Sequence, residues 1–91
     1  MKSQTQKYLT EFIGTFFFLY IIISTGGNPI AVGGALGLSV YLGGKISGAN
    51  FNPAVTIMMA AANKMPAANV LPYIIAQIAG GLLAFVLYKA M

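Results

Sequence analysis

The run Ser47-Gly48-Ala49-Asn50-Phe51-Asn52-Pro53-Ala54-Val55-Thr56 constrains this chain more than any other stretch. Small residues lead into Asn-Pro, and an apolar segment follows from Ala54 to Ala62. Asn52 is a good helix N-cap, and Pro53 suits the first helical position. The segment predicts a helix over about residues 52–63, because Met65-Pro66 disfavours its continuation. Roughly 10 residues at 1.5 Å each reach about 15 Å. A bilayer core is about 30 Å thick. The helix is apolar enough to enter a membrane and long enough to cross only half of it. The loop before it carries unpaired backbone carbonyls, which membrane depth tolerates only inside protein or beside water.

Composition says which solvent the fold meets. Of the 91 residues, 58% are hydrophobic and 7% are charged, against about 25% charged in soluble domains. Such a chain cannot cover a soluble surface, so an integral membrane protein is expected. The net charge of +4 rests on five lysines. So few charges mark membrane topology rather than a nucleic-acid footprint. With no Cys, no His and a single acid, Glu11, the chain has no disulfide framework and no thiolate metal site. Nor does it hold a carboxylate pair or catalytic triad. No enzyme activity, metal or cofactor is expected.

Residues 1–7 are polar and carry Lys2 and Lys7. The first predicted span covers about residues 8–24. A basic start, an apolar run and Ser24-Thr25-Gly26 also fit a signal peptide. Against that, Glu11 interrupts the run, and the rest of the chain is equally apolar. A turn follows, and Pro29 opens a second span over about residues 29–44. Gly33 and Gly37 sit four apart on one face, spacing that suits close approach of another helix or a loosely packed glycine-rich one. Lys45 and Lys64 bracket the re-entrant segment. The third span covers about residues 70–88, with Ala76, Gly80 and Ala84 as a second small-residue stripe and Gln77 directed at protein. The expected architecture is an all-α membrane protein, one domain over 1–91, with three transmembrane helices plus one re-entrant half-helix. Four lysines (2, 7, 45 and 64) then share one side, which puts the N-terminus in the cytoplasm. Tyr8, Tyr41 and Tyr73 fall near that interface and Tyr88 near the other, as an aromatic belt would.

A helix that starts at mid-membrane depth presents unpaired amides with partial positive charge. The Asn52 side chain adds an amide donor, and the carbonyls of Gly48, Ala49, Asn50 and Phe51 are acceptors leading to it. Acceptors on the way in and donors at a cation-repelling centre suit water or a small neutral solute. The plainer alternative is that Asn52 only caps a short helix. Glu11 is an ionisable group in an apolar span, and such groups mark functional sites by default. It suits hydrogen bonding to loop amides as a brace; otherwise it lies at the headgroups with no special role.

These residues resemble the aquaporin family, the major intrinsic proteins. The resemblance rests on the run 47–56, on Glu11-Phe12-Ile13-Gly14-Thr15 upstream, and on Tyr73-Ile74-Ile75-Ala76-Gln77 with Gly80-Gly81 downstream. Family members are pseudo-twofold inverted repeats of two such halves, commonly assembled as tetramers. Their two half-helices meet head to head at Asn-Pro-Ala triplets. The resemblance implies that Asn52, Pro53 and Ala54 form the pore triplet. It further implies that residues 48–51 supply pore carbonyls, that Glu11 and Gln77 brace the loop, and that Val32 holds a filter position. The chain matches the family's first half. The filter arginine that follows the second triplet has no counterpart, and Asn50 stands where His is common.

A pore needs a second half-helix, from an inverted copy of this chain or from another membrane chain. In an inverted dimer Val55 would take the arginine position, with Ala49 and Val32 beside it. That constriction would be wide, apolar and uncharged. The expected function is a channel subunit for water or small neutral solutes, surrounded by lipid. The alternative is a non-conducting membrane subunit that uses the fold as a packing module in a larger complex.

Overall fold

The computed structural model describes residues 2–91, and every element in them is helical. Helix α1 spans Gln4–Thr25, α2 spans Pro29–Ser47, α3 spans Pro53–Ala61 and α4 spans Val70–Ala90, with a 3-10 turn at Ala67–Asn69 leading into α4. Local chemistry sets the boundaries. Ser3 Oγ accepts from the Gln6 amide while Gln6 Oε1 accepts from the Ser3 amide, a reciprocal cap that starts α1 four residues before the expected span. At the other end Gly26 takes φ +65°, and the Gly27 amide returns to the Ile22 carbonyl. Asn28 then caps the Ala31 amide, and Pro29 occupies the first position of α2.

The second helix runs past Gly44 to Ser47 and stops where Gly48 takes φ +89°. Lys45 therefore lies in its last turn, where a cation complements the helix dipole. The third helix is shorter than the stretch 52–63. Asn63 adopts φ +57°, the Asn63 amide bonds the Ala60 carbonyl and the Lys64 amide bonds the Met59 carbonyl. That pair of bonds is a Schellman close with Asn in the left-handed position, so the chain turns two residues before Met65-Pro66 forces it to.

Nine residues give α3 a length of about 13 Å, whereas the 21 of α4 give about 31 Å. Helices α1, α2 and the turn-plus-α4 stretch Ala67–Ala90 are each long and apolar enough to cross a membrane; α3 is not among them. The interior is the reverse of a soluble core. Among the described residues, five hydrophobic side chains are buried and eight polar or charged ones are, while Leu42, Leu71, Leu82 and Val86 are exposed. Most interior polar groups pair with one another, Thr15 Oγ1 and Gln77 Oε1 excepted, and apolar side chains face out, as lipid solvent requires. The chain is an integral, multi-pass membrane protein.

Packing is closest between α1 and α4. A Cβ on Gly80 would lie 2.6 Å from the Phe12 carbonyl oxygen and 3.0 Å from the Phe16 amide nitrogen, so glycine lets the two backbones touch. Ala84 on the same stripe is buried. Gly33 and Gly37 of α2 make no close approach within this chain. Nothing lies within 4 Å of a Cβ built on Gly33, Gly34 or Gly37. No helix of this chain approaches that face; the glycine of α2 in tight contact is Gly43, near Thr10 and Phe51.

Candidate functional site

The loop between α2 and α3 hangs on one carboxylate. Glu11 is 0% exposed. Its Oε2 accepts from Ser47 Oγ at 2.7 Å and from the Asn50 amide at 3.1 Å. Its Oε1 accepts from the Phe51 amide and from Gln77 Nε2, each at 2.8 Å. Four donors from three parts of the chain converge on the two oxygens of this one side chain. Gln77 Nε2 also donates to Thr56 Oγ1 at 2.8 Å, tying α4 to α3. Thr56 is 0% exposed and accepts a second bond from Asn50 Nδ2 at 3.1 Å. Loop, half-helix and all three spans therefore meet in one connected polar cluster, which the low-dielectric interior makes rigid.

The loop needs that support. Ala49 and Phe51 have φ of +54° and +55°, a region that costs non-glycine residues roughly 1–2 kcal/mol each. The Phe51 ring also secures the turn. It fills the crevice between α1 and α2, where a Cβ on Gly14 would fall 2.2 Å from Phe51 Cε1 and one on Gly43 3.2 Å from Cζ. Strain in the backbone is thus offset by a buried aromatic ring and by hydrogen bonds to a buried carboxylate.

The predicted residues fall into two groups. Ala49, Asn50 and Phe51 are buried with Glu11 and Gln77, whereas Gly48, Asn52, Pro53 and Ala54 are exposed. Val32 and Val55 are half-buried. Asn52 Oδ1 accepts from the Ala54 amide at 2.7 Å, capping α3 and leaving Nδ2 as the donor the residue can present. The Asn50 side chain turns inward, toward Thr56 Oγ1 and, at 3.4 Å, Met65 Sδ.

Several participants were not legible as such. Tyr73, placed above in an aromatic belt, is buried instead. Its hydroxyl donates to the Ser47 carbonyl at 2.6 Å, and its ring meets Tyr8 edge-on at 5.9 Å. Tyr8 OH in turn donates to Asn69 Oδ1 at 3.3 Å. These bonds gather the start of α1, the end of α2 and the start of α4 at one end of the molecule. Ser47 orients the loop by bonding both Glu11 and the Ala49 amide. Thr56 had a signal: it is the one polar residue in Pro53–Ala61. No group of His, Cys, Asp or Glu able to hold a metal occurs among the described residues.

Comparison with known sequences agrees with this arrangement. Residues 1–91 match the profile of the Major intrinsic protein family. The chain is similar to Glycerol uptake facilitator protein-like 6 of Lactiplantibacillus plantarum, at 40% identity over 93 residues, covering 93% of this chain and 43% of that protein. It is similar to Aquaporin AqpM of Methanothermobacter thermautotrophicus at 36% identity, covering 92% of this chain and 46% of that protein. Propanediol uptake facilitator PduF of Salmonella typhimurium is 41% identical, over 89% of this chain and 37% of its own length. The chain spans less than half the length of these curated relatives. With Asn52-Pro53-Ala54 at the start of a half-length helix and a buried glutamate beneath its loop, the chain belongs to the major intrinsic protein family, as half of an aquaporin-like fold.

Proposed function

We propose that this chain is a subunit of a channel for water or small neutral solutes, with the pore completed by a second half-helix from another chain. One observation carries the reading: the loop is buried and braced, yet the end it delivers is bare. Asn52, Pro53 and Ala54 are exposed in the single chain, although Glu11, Gln77 and Thr56 immobilise everything behind them. An inverted copy, or another membrane chain with a similar half-helix, covers that end. The carbonyls of Gly48, Ala49, Asn50 and Phe51 line one approach, and the Asn52 amide meets the solute at the centre. The printed names of the relatives, which include glycerol and propanediol facilitators and aquaporins, support the solute class.

The filter of an inverted dimer contains Val32, Val55 and Ala49, and the sequence has no arginine to supply a charge. Such an apolar constriction discriminates poorly between water and small polyols. Stopped-flow shrinkage of proteoliposomes tests this. Rapid water flux accompanied by measurable glycerol entry is expected; rapid water flux with strict glycerol exclusion contradicts the filter, and no flux above bare liposomes contradicts the channel.

Lys2, Lys7, Lys45 and Lys64 gather at the end where α1 starts, α2 stops and α4 starts, and Lys89 lies at the other. The positive-inside rule places that end, with the N-terminus, in the cytoplasm. This asymmetry opposes insertion in both orientations and favours the second reading, a non-conducting packing subunit of a larger membrane complex. Labelling of single cysteines near Lys2 and Lys89 separates the two: one orientation only rules out the inverted homodimer.

A further inference from the structure

A groove of about 540 Å³ lies between α1 and α2, walled by Ile13, Gly14 and Phe17 of the first helix and by Leu38, Leu42 and Gly43 of the second. Ile13, Phe17, Leu38 and Leu42 are exposed, so the groove opens outward, where the lipid lies. Its two hydroxyls offer no donor to a guest. Thr10 Oγ1 and Ser39 Oγ donate to the carbonyls of Gln6 and Ala35, at 2.7 and 2.8 Å. Such walls favour hydrocarbon. The lining runs from Thr10 to Phe17 on α1 and from Leu38 to Ile46 on α2, about 10 and 12 Å, within one leaflet of a core about 30 Å thick. A transmembrane helix seated lengthwise would run the full core, whereas one acyl chain of one leaflet matches this length.

One end of the groove is charged. Lys7 precedes Thr10, Gly14 and Phe17 by three, seven and ten residues, so it ends their stripe of α1. Lys45 follows Leu42 and Leu38 by three and seven, so it ends theirs on α2. These ends of the helices lie side by side, with Thr10 Cγ2 3.0 Å from a Cβ built on Gly43. Glu11, the one acidic side chain of the sequence, is buried among four other donors. Neither lysine therefore has an acidic side chain to pair with. We propose that the groove holds one acyl chain of a phospholipid whose anionic headgroup is bound by Lys7 and Lys45. Gly14 and Gly43 also seat the Phe51 ring, so the bound chain lies against the wall that holds the α2–α3 loop. The site rests on the groove and its lysines, and on neither conduction nor a covering half-helix.

Photolabelling of the unaltered protein in phosphatidylcholine vesicles tests it. The probes are trace phosphatidylglycerol and phosphatidylcholine with the same diazirine midway along one acyl chain, and mass spectrometry maps the adducts. Phosphatidylglycerol is expected to label Ile13, Phe17, Leu38 and Leu42 above the exposed Leu71, Leu82 and Val86 of α4. Its preference over phosphatidylcholine in the groove is expected to be on the order of tenfold, since each lysine at an anionic lipid surface contributes about fivefold. The pair Lys7→Gln and Lys45→Gln abolishes that preference, whereas Lys2→Gln with Lys64→Gln, which removes as much charge from the same end, keeps it. Equal labelling of the groove by both lipids, equal labelling of groove and α4, or equal effects of the two lysine pairs overturns the proposal. So does a groove free of adducts, including one shielded by a second protein chain.

Discussion

Replacing Glu11 with alanine releases the loop before α3. The carboxylate is the acceptor for two buried backbone amides, Asn50 at 3.1 Å and Phe51 at 2.8 Å. The Ser47 hydroxyl can rotate to another acceptor, and Gln77 Nε2 keeps its bond to Thr56. The irreducible loss is the two amides, at about 1–3 kcal/mol each when left unpaired. Removing the brace therefore raises the loop's energy by about 2–6 kcal/mol, on top of the left-handed strain at Ala49 and Phe51. Hydrogen exchange in micelles reads this at single amides. A loss of about 3 kcal/mol accelerates exchange roughly a hundredfold where exchange proceeds by local opening. Glu11→Gln is milder, because a carboxamide of the same shape still accepts on one side and meets only one backbone donor with its own donor. Exchange at Asn50 and Phe51 that changes less than about twofold in the alanine variant, with α4 amides equally unmoved, refutes the brace.

Gly80→Val forces a side chain into a gap where even a Cβ lies 2.6 Å from the Phe12 carbonyl; overpacking of this kind costs about 1–3 kcal/mol or more, read as a lower midpoint in SDS titration. Tyr73→Phe removes the bond to the Ser47 carbonyl and lowers the unfolding free energy from the same titration by about 1 kcal/mol. Asn63→Gly relaxes a residue at φ +57° and raises stability by up to about 1 kcal/mol.

Much of this fold was legible in the sequence because its signals are local. Gly26 and Asn28-Pro29 each act within a few residues, and Asn52-Pro53 starts a helix wherever it lies; the Ser3–Gln6 cap is equally local, but the apolar run alone put the start of α1 four residues late. Glu11 and Gln77 stood out because polar side chains in apolar spans demand partners. What stayed hidden depends on three segments meeting at once. Phe51 looked like a source of a carbonyl, and only the fold shows its ring seated over Gly14 and Gly43. Tyr73 is spaced like a belt residue, but α2 ends against it, so its hydroxyl finds the Ser47 carbonyl. Gly33 and Gly37 carry the spacing of a close contact, and spacing alone does not say whether the neighbour belongs to the same chain. The end of α3 moved because Asn63 tolerates a left-handed turn, a property of one residue that the downstream proline masked.

If another half-helix covers the exposed start of α3 in the membrane, a cysteine at position 54 is shielded there. Ala54→Cys tests this in a chain that contains no other cysteine. Oxidation in native membranes is expected to link position 54 to its counterpart in a second copy or to another membrane chain, and water-soluble maleimide to reach it poorly. A cysteine that labels freely and links to nothing rules out a covering half-helix.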